Sequence, residues 1–353
     1  MAVWGPNGNG SPTLAVDLWG HQSRGKIPNA TTLVHHAEQP RRHRDMHEMF
    51  VAAYRAFADM CRAVDEPGVA IVAVHESTGR AQGLVTLRAR VDRHVAAIVG
   101  RHDSADLYLD RAPEMALRHL AIVLDPVKSW KRGDAAVRYR VLDLRTRDGF
   151  ADETGRPLRG LRAEGPALLK CAGYAFFMLP VGDPTDWPAS PQDAWAMLPE
   201  RVYFDETEWS GRCATGSMPK MPKPGARTST LVRTHGPHDT GVGLVRSGSA
   251  AGTLELRGSH TGGYLDVGNA ELADGILLGR YPRCNGAGFS DDPSLSRVHA
   301  LLIQVDDRLL LVDTSSRNGS RLRGCDDARV IEIVGETELE LGTHTRVRWR
   351  WTS

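Results

Sequence analysis

Three polar clusters in the C-terminal part of the chain hold side chains suited to gripping a dianion. Gly279-Arg280 closes the apolar run ILLGR, and Ser296, Arg297 and His299 crowd the entrance of SLSRVHALLI. Ser316, Arg317, Asn318 and Gly319 follow LLLVDT. A phosphate monoester on a side chain carries roughly −1.5 to −2 charges and three strong acceptor oxygens. Its capture needs a fixed cation and donors converging from separate loops. Arg280 stands just after a glycine at a strand end, where its guanidinium can project from a rim. Ser296 supplies a short, stiff hydroxyl, and Arg297 and Arg317 add charge beside it. Asn318 has both a donor and an acceptor, which suits an extended peptide main chain, while Gly319 supports a turn with positive φ. Hydrogen bonds to charged groups are worth ~1.5–3 kcal/mol each, so two or three support a micromolar-class site after ordering costs.

Loops hold such groups only if stiff strands fix their ends. From Val69 the chain reads as short apolar or alternating runs: GVAIVAV, GLVTLRARV, HVAAIVG, LAIVL, YRVLDLR and GYAFFML. The texture resumes with GTLELRG, DGILLGR, HALLIQV, RLLLVDT, RVIEIV and THTRVRWRW. Gly, Asp and Pro clusters bound these runs, the pattern of β-sandwiches. The expected architecture is all-β, two β-sandwiches joined by a long linker, with one N-terminal helix. Residues 1–42, rich in Gly, Pro, Asn and His, read as a flexible tail. Residues 43–65 place Met46, Phe50, Tyr54, Phe57, Met60, Cys61 and Val64 on one stripe of an amphipathic helix that Pro67-Gly68 stops. Residues 66–182 and 243–353 are the two strand-rich units. Residues 183–242, high in Pro, Ser, Thr and Lys, are the expected linker, with at most a short helix near 192–198.

Bulk properties agree. A chain of 353 residues favours two domains. Lys plus Arg number 44 against 43 Asp plus Glu, so no overall field draws in nucleic acid or anionic membrane. Anion recognition must therefore be local. The five cysteines are scattered without a C-x-x-C pair, which argues against a disulfide framework or structural zinc and fits a reducing compartment. No apolar run is long enough to span a membrane and the N-terminus has no secretory pattern, so the expected location is the cytoplasm.

The two strand-rich units repeat one another. AIVGRHD, EMALRHLAIV and RVLDLRTRDGF in the first correspond to ILLGRYP, SLSRVHALLI and LLLVDTSSRNGS in the second. In both an Asp leads to a Gly six positions on, Asp143 to Gly149 and Asp313 to Gly319. The arrangement resembles the forkhead-associated (FHA) domain family, with an intact copy over roughly residues 250–353 and a degraded one over roughly 66–182. The resemblance implies two FHA-like β-sandwiches. It implies that Arg280 and Ser296 bind phosphate, that Asn318 holds the peptide main chain, and that Ser316 and Arg317 lie in the loop completing the pocket. It gives His299, with Gly279 and Gly319, a structural role. The expected function is phosphothreonine-dependent protein binding, as a signalling adaptor downstream of a Ser/Thr kinase. The alternative is a phosphate-independent structural adaptor or scaffold of a larger complex.

In the first copy Arg101 and His119 persist, but Ala116 replaces the serine and Asp148 the asparagine. Ala116 removes a donor and Asp148 brings an anion towards an anion site. This copy is therefore expected not to bind phosphothreonine measurably and to serve as a scaffold or docking surface, with Arg118, Arg145 and Arg147 either restoring positive potential or pairing with Asp148. Other signals are weak. Gly20 to Ile27 nearly spells a phosphate-binding loop, but Ile27 stands where the hydroxyl residue belongs and Pro28 follows. His43 and His47 lack a third metal ligand, and HGPH at 235–238 is a pair of linker histidines. Thr228, Thr230 and Thr234 lie near basic residues, as kinase targets in a flexible linker do. No cofactor, metal or catalytic activity is expected.

Overall fold

The structure, a computed structural model, describes residues 14–16, 44–130, 137–205, 229–235, 250–258, 261–285 and 292–352. The tail outside residues 14–16, the Gly20–Ile27 stretch, His43, Thr228 and residues 236–238 lie outside the described residues. Within the expected tail, Leu14–Val16 forms a strand paired with residues 84–86.

The expected helix is α1, Met46–Arg62. Asp45 caps it by accepting from Glu48 N at 2.7 Å, satisfying one of the free donors of the first turn. Its buried stripe includes Phe50, Ala53, Tyr54, Phe57 and Cys61 and covers one face of a seven-stranded sheet. That sheet runs Leu14–Val16, Arg80–Arg88, Gly68–His75, Tyr174–Val181, Ala167–Cys171, Phe150–Asp152 and Pro157–Leu158. In Gly68–His75 alternate residues Ala70, Val72 and Val74 meet α1, while Val69, Ile71 and Ala73 point into the sandwich core.

The facing sheet also has seven strands, Glu200–Asp205, Ser229–His235, Gly160–Glu164, Arg138–Asp143, Leu120–Leu124, Val95–Gly100 and Leu107–Tyr108. The second unit pairs a five-stranded sheet with a four-stranded one. The first runs Gly262–Gly268, Ala250–Arg257, Thr345–Trp351, Glu338–Leu341 and Ser320–Leu322; the second runs Ile276–Leu278, Ala300–Val305, Arg308–Asp313 and Val330–Ile333. Trp349 is fully buried between them. The central strands of the two units share one order, strand for strand.

The units are not beads on a string. Ala96, Ile98, Ala121, Val123 and Leu142 of the first unit pack against Leu277, Leu301, Ile303, Val305, Leu310 and Val312 of the second in one buried cluster. Strand Ala300–Val305 therefore sends Ala300 and Leu302 into its own sandwich and Leu301, Ile303 and Val305 into the seam. Four sheets stack face to face, with α1 outside the first.

Within residues 183–242, expected as a linker, the short helix expected near 192–198 is present, and two strands not expected there join the first unit. Pro191–Met197 is a helix, α2, which packs on α1, with Trp195 5.3 Å from the Phe50 ring and Tyr54 Oη donating to Pro188 O at 2.7 Å. Strands Glu200–Asp205 and Ser229–His235 pair in parallel and extend the first unit's sheet at Gly160–Glu164, with Val232 in the core. Thr230 and Thr234 thus lie on a strand hydrogen-bonded on both sides. Asn269–Asp274 is a short helix, α3, whose Glu271 accepts from Gly268 N at 2.8 Å.

Away from the functional rim, His94 and Asp125 are both buried, their facing atoms 3.8 Å apart. Burial, and then Arg308 and Arg140, pushes His94 down to about 4, while burial pushes Asp125 up to about 6 against the pull of Arg140. The lowered histidine gives stability that is present above its ordinary 6.5 and lost as pH falls through about 4. The raised carboxyl gives stability that is present below 3.8 and lost as pH rises through about 6. The two trends oppose each other across that window. Asp125→Asn is expected to leave a urea midpoint that climbs from pH 4 to 6.5, and His94→Gln one that falls. Identical profiles in both variants would refute the assignment.

Candidate functional site

Three loops of the second unit converge at one rim, each fixed by a strand end. The first leaves Ile276–Leu278 through Gly279, whose φ is 155° and where a Cβ would stand 2.3 Å from Arg297 O. Only glycine allows this approach. It lets Arg280 N donate to Ser296 O at 3.1 Å and Tyr281 N to Arg297 O at 2.8 Å. Arg280 Nε donates to Leu295 O at 2.5 Å, so the stem is tethered while the guanidinium tip stays at the surface.

The second loop, residues 292–299, is braced by His299, which is fully buried. Its Nδ1 accepts from Ser296 N at 3.1 Å, so Nε2 carries the proton and donates to Gly319 O at 2.9 Å. One ring thereby ties two loops together. Burial pushes its pKa below the ordinary value, with Asp313 pulling the other way, which keeps the ring neutral as this bonding requires.

The third loop, residues 314–319, is organised by Asp313. It accepts from Ser316 N at 2.8 Å, Ser316 Oγ at 2.6 Å and Ser320 Oγ at 2.6 Å. Ser316 was expected among the ligand-binding residues. Its hydroxyl is instead spent on the buried carboxylate, so its part is to shape the loop. Arg317 N donates to the Ser296 hydroxyl at 3.0 Å, and Asn318 Nδ2 donates to Ser294 O at 2.7 Å. Gly319, at φ 70°, takes the left-handed turn. The structure thus brings Arg280, Ser296, Arg297, Arg317 and Asn318 onto one rim, with Arg280, Arg297 and Arg317 exposed.

Arg280, Ser296, Arg297 and Arg317 line a cleft of about 260 Å³. This falls below the size typical of small-molecule and cofactor pockets. Part of its wall comes from the first unit, through His102, Leu117 and Arg118. Arg118 is buried in the seam, where Nε donates to Thr314 O and Nη2 to Ser315 O, both at 2.6 Å. Arg329 Nη1 also grips this loop, donating to Ser315 Oγ at 2.9 Å, and its other nitrogen meets Asp106 of the first unit at 3.3 Å. Arg118 therefore does not pair with Asp148; its bonds fasten the second unit's loop, and its charge lies in the wall of the cleft.

The first unit keeps the same bracing. Arg101 Nε donates to Met115 O at 3.0 Å, and His119 links Ala116 N at 3.1 Å to Gly149 O at 2.9 Å. Thr146 N donates to Asp143 at 3.1 Å, matching Ser316 and Asp313. The left-handed Arg145 and Gly149 match Ser315 and Gly319. Ala116 and exposed Asp148 stand where the second unit has Ser296 and Asn318.

Sequence reasoning named Arg118 only as a source of positive potential or a partner of Asp148, and missed its grip on the second unit's loop, Asp313 as a loop hub, and the part played by His102 and Leu117. The signal for Arg118 was available. It occupies the position that Val298 has in the second unit, a charge in place of an apolar residue just before the histidine.

Residues 276–347 match the FHA domain family model, which places one FHA domain in the second unit. No curated protein matches the chain. Similar solved structures include the FHA domain of a Chlamydia trachomatis protein, at 21% identity over 30% of this chain and 100% of that one, with a TM-score of 0.26. The FHA domain of an Arabidopsis thaliana hypothetical protein has 22% identity over 30% and 94%, with a TM-score of 0.26. Mycobacterium tuberculosis EmbR in complex with a low affinity phosphopeptide has 15% identity over 29% and 25%, with a TM-score of 0.24.

Proposed function

We propose that the FHA domain at residues 276–347 docks a phosphothreonine-bearing protein and that the chain is a cytoplasmic signalling adaptor downstream of a Ser/Thr kinase. The observation that carries this reading is the Ser296 hydroxyl, held by Arg317 N at 3.0 Å on a rim with the exposed cations Arg280, Arg297 and Arg317. A dianionic ester satisfies all of these groups, whereas a plain hydroxyl leaves the cations unanswered. Asn318, tied to Ser294 O through Nδ2, keeps its oxygen for a peptide N–H.

The first unit is read as a degenerate FHA-like copy serving as scaffold. Its strand order and its His119 brace support that kinship. Ala116 and Asp148 remove the donors that would hold phosphothreonine there unaided. No described helix is long and apolar enough to cross a membrane, and Cys61, Cys171 and Cys284 are buried free thiols, compatible with a reducing compartment.

The test is fluorescence anisotropy of the intact chain with matched phosphothreonine and threonine peptides from an oriented library. Phosphorylated peptides are expected to bind, and Arg280→Ala to weaken them by about tenfold or more, one charge-assisted hydrogen bond. Equal affinity for both forms would replace the phosphothreonine reader with a phosphate-independent scaffold.

A further inference from the structure

The rims of the two units adjoin. Leu117, Arg118 and Arg297 line the phosphothreonine cleft and also line a second cleft of about 250 Å³ at the corresponding rim of the first unit. Beyond that shared wall, the second cleft presents Arg145, Arg147 and Arg283. Arg145 Nη1 donates to Arg283 O at 2.9 Å and Arg283 Nη1 to Arg145 O at 3.3 Å, which fixes two cations opposite each other across the seam. Among the described residues, these bonds use one nitrogen of each fork. The cleft's acids are weak opponents. Glu114 is exposed, and Asp148 is 72% exposed, with Arg147 3.9 Å away. Burial pushes Arg145 below the ordinary guanidinium value, while Cys284, Glu271, Asp274 and Asp143 pull it back up.

We propose that the two clefts form one bipartite groove: with phosphothreonine in the cup of Arg280, Ser296 and Arg317, Arg145, Arg147 and Arg283 take a second anionic side chain of the same peptide. This rests on the phosphothreonine reading of the second unit. Ala116 and Asp148 deny the first unit independent capture of phosphothreonine. They do not block an acid already tethered nearby, for which the effective concentration is of millimolar order. Arg297 and the exposed Leu117 lie on the path between the two groups. The second anion is a phosphate or a carboxylate, since a guanidinium fork matches both.

The experiment compares three peptide types on the intact chain. One has phosphothreonine in a neutral context, one adds a second phosphorylated residue, and one adds a glutamate pair, placed roughly two to five residues away on either side, a reach of ~3.3 Å per residue. One of the doubly anionic types is expected to bind about tenfold tighter than the singly phosphorylated peptide, the weight of a modest charge-assisted contact. Which type gains identifies phosphate or carboxylate. In Arg147→Ala/Arg283→Ala that advantage should shrink to about twofold or less, with the singly phosphorylated peptide unchanged. Arg147→Glu alone, on a side chain 89% exposed, keeps the test independent of any folding effect at Arg283. Equal wild-type affinity for all three types, or an advantage undiminished in both variants, overturns the bipartite groove and leaves the phosphothreonine site standing. Failure of wild type to prefer phosphothreonine over threonine overturns both.

Discussion

Ile303→Asp is expected to cost about 5 kcal/mol or more in urea denaturation, a loss comparable to the whole stability of many domains. Ile303 has no exposed surface and faces the seam, among Leu301, Val305 and Leu310 of its own sheet and side chains of the first unit. Removing the isoleucine forfeits roughly 2–3 kcal/mol of burial. The carboxylate then either stays dry, at several kcal/mol, or forces the apolar faces apart. Val334→Asp, at a residue 75% exposed, is the matched control, and its effect should stay within about 0.5 kcal/mol. If Ile303→Asp matched this control, the four-sheet stack would not exist in solution. A second consequence concerns fragments. Residues 243–353 alone would present Leu277, Leu301, Ile303, Val305, Leu310 and Val312 to water, an exposed face prone to self-association. Binding is therefore best measured on the intact chain.

That seam was partly legible. The strands, the α1 stripe and the order of the rim residues follow from periodicity and spacing, because each depends on local pattern. The seam depends on what covers the outer face of a sheet. LAIVL and HALLIQV are apolar on both alternating sets, the mark of strands buried on two sides. A short apolar run is equally what an ordinary sandwich core requires, so periodicity alone does not separate the cases. Strand Ser229–His235 was hidden for another reason. Its sequence STLVRTH has two apolar residues, Leu231 and Val232, among Ser, Thr, Arg and His like those of its surroundings, too short a run to mark a strand; Val232 enters the core. At the site, that Arg280 and Ser296 share one rim was readable, because each stands at the end of an apolar run. Ser316 was not, since its hydroxyl answers to Asp313 and only coordinates reveal which partner it chose.

Arg118 is where the seam and the site meet, and Arg118→Met is expected to harm both. Methionine keeps an apolar stem in the seam but removes the donors to Thr314 O and Ser315 O, each 2.6 Å away. Leaving two buried carbonyls without partners costs about 2–6 kcal/mol, since each unsatisfied group forfeits ~1–3. The loop involved is already under strain, because Ser315 holds φ 61° without being glycine, a conformation worth roughly 1–2 kcal/mol against L-residues. Once released, the loop can relax, and relaxation moves Arg317 N away from the Ser296 hydroxyl. Phosphopeptide affinity should then fall by about tenfold, measured at a temperature where both proteins are folded, the loss of one such contact. Arg118→Lys, which can restore one of the two bonds, should recover part of the affinity. Stability lost with affinity intact would confine Arg118 to the seam. Affinity lost with Arg118→Met and partly regained with Arg118→Lys identifies the first unit as the positioning element of the second unit's binding loop.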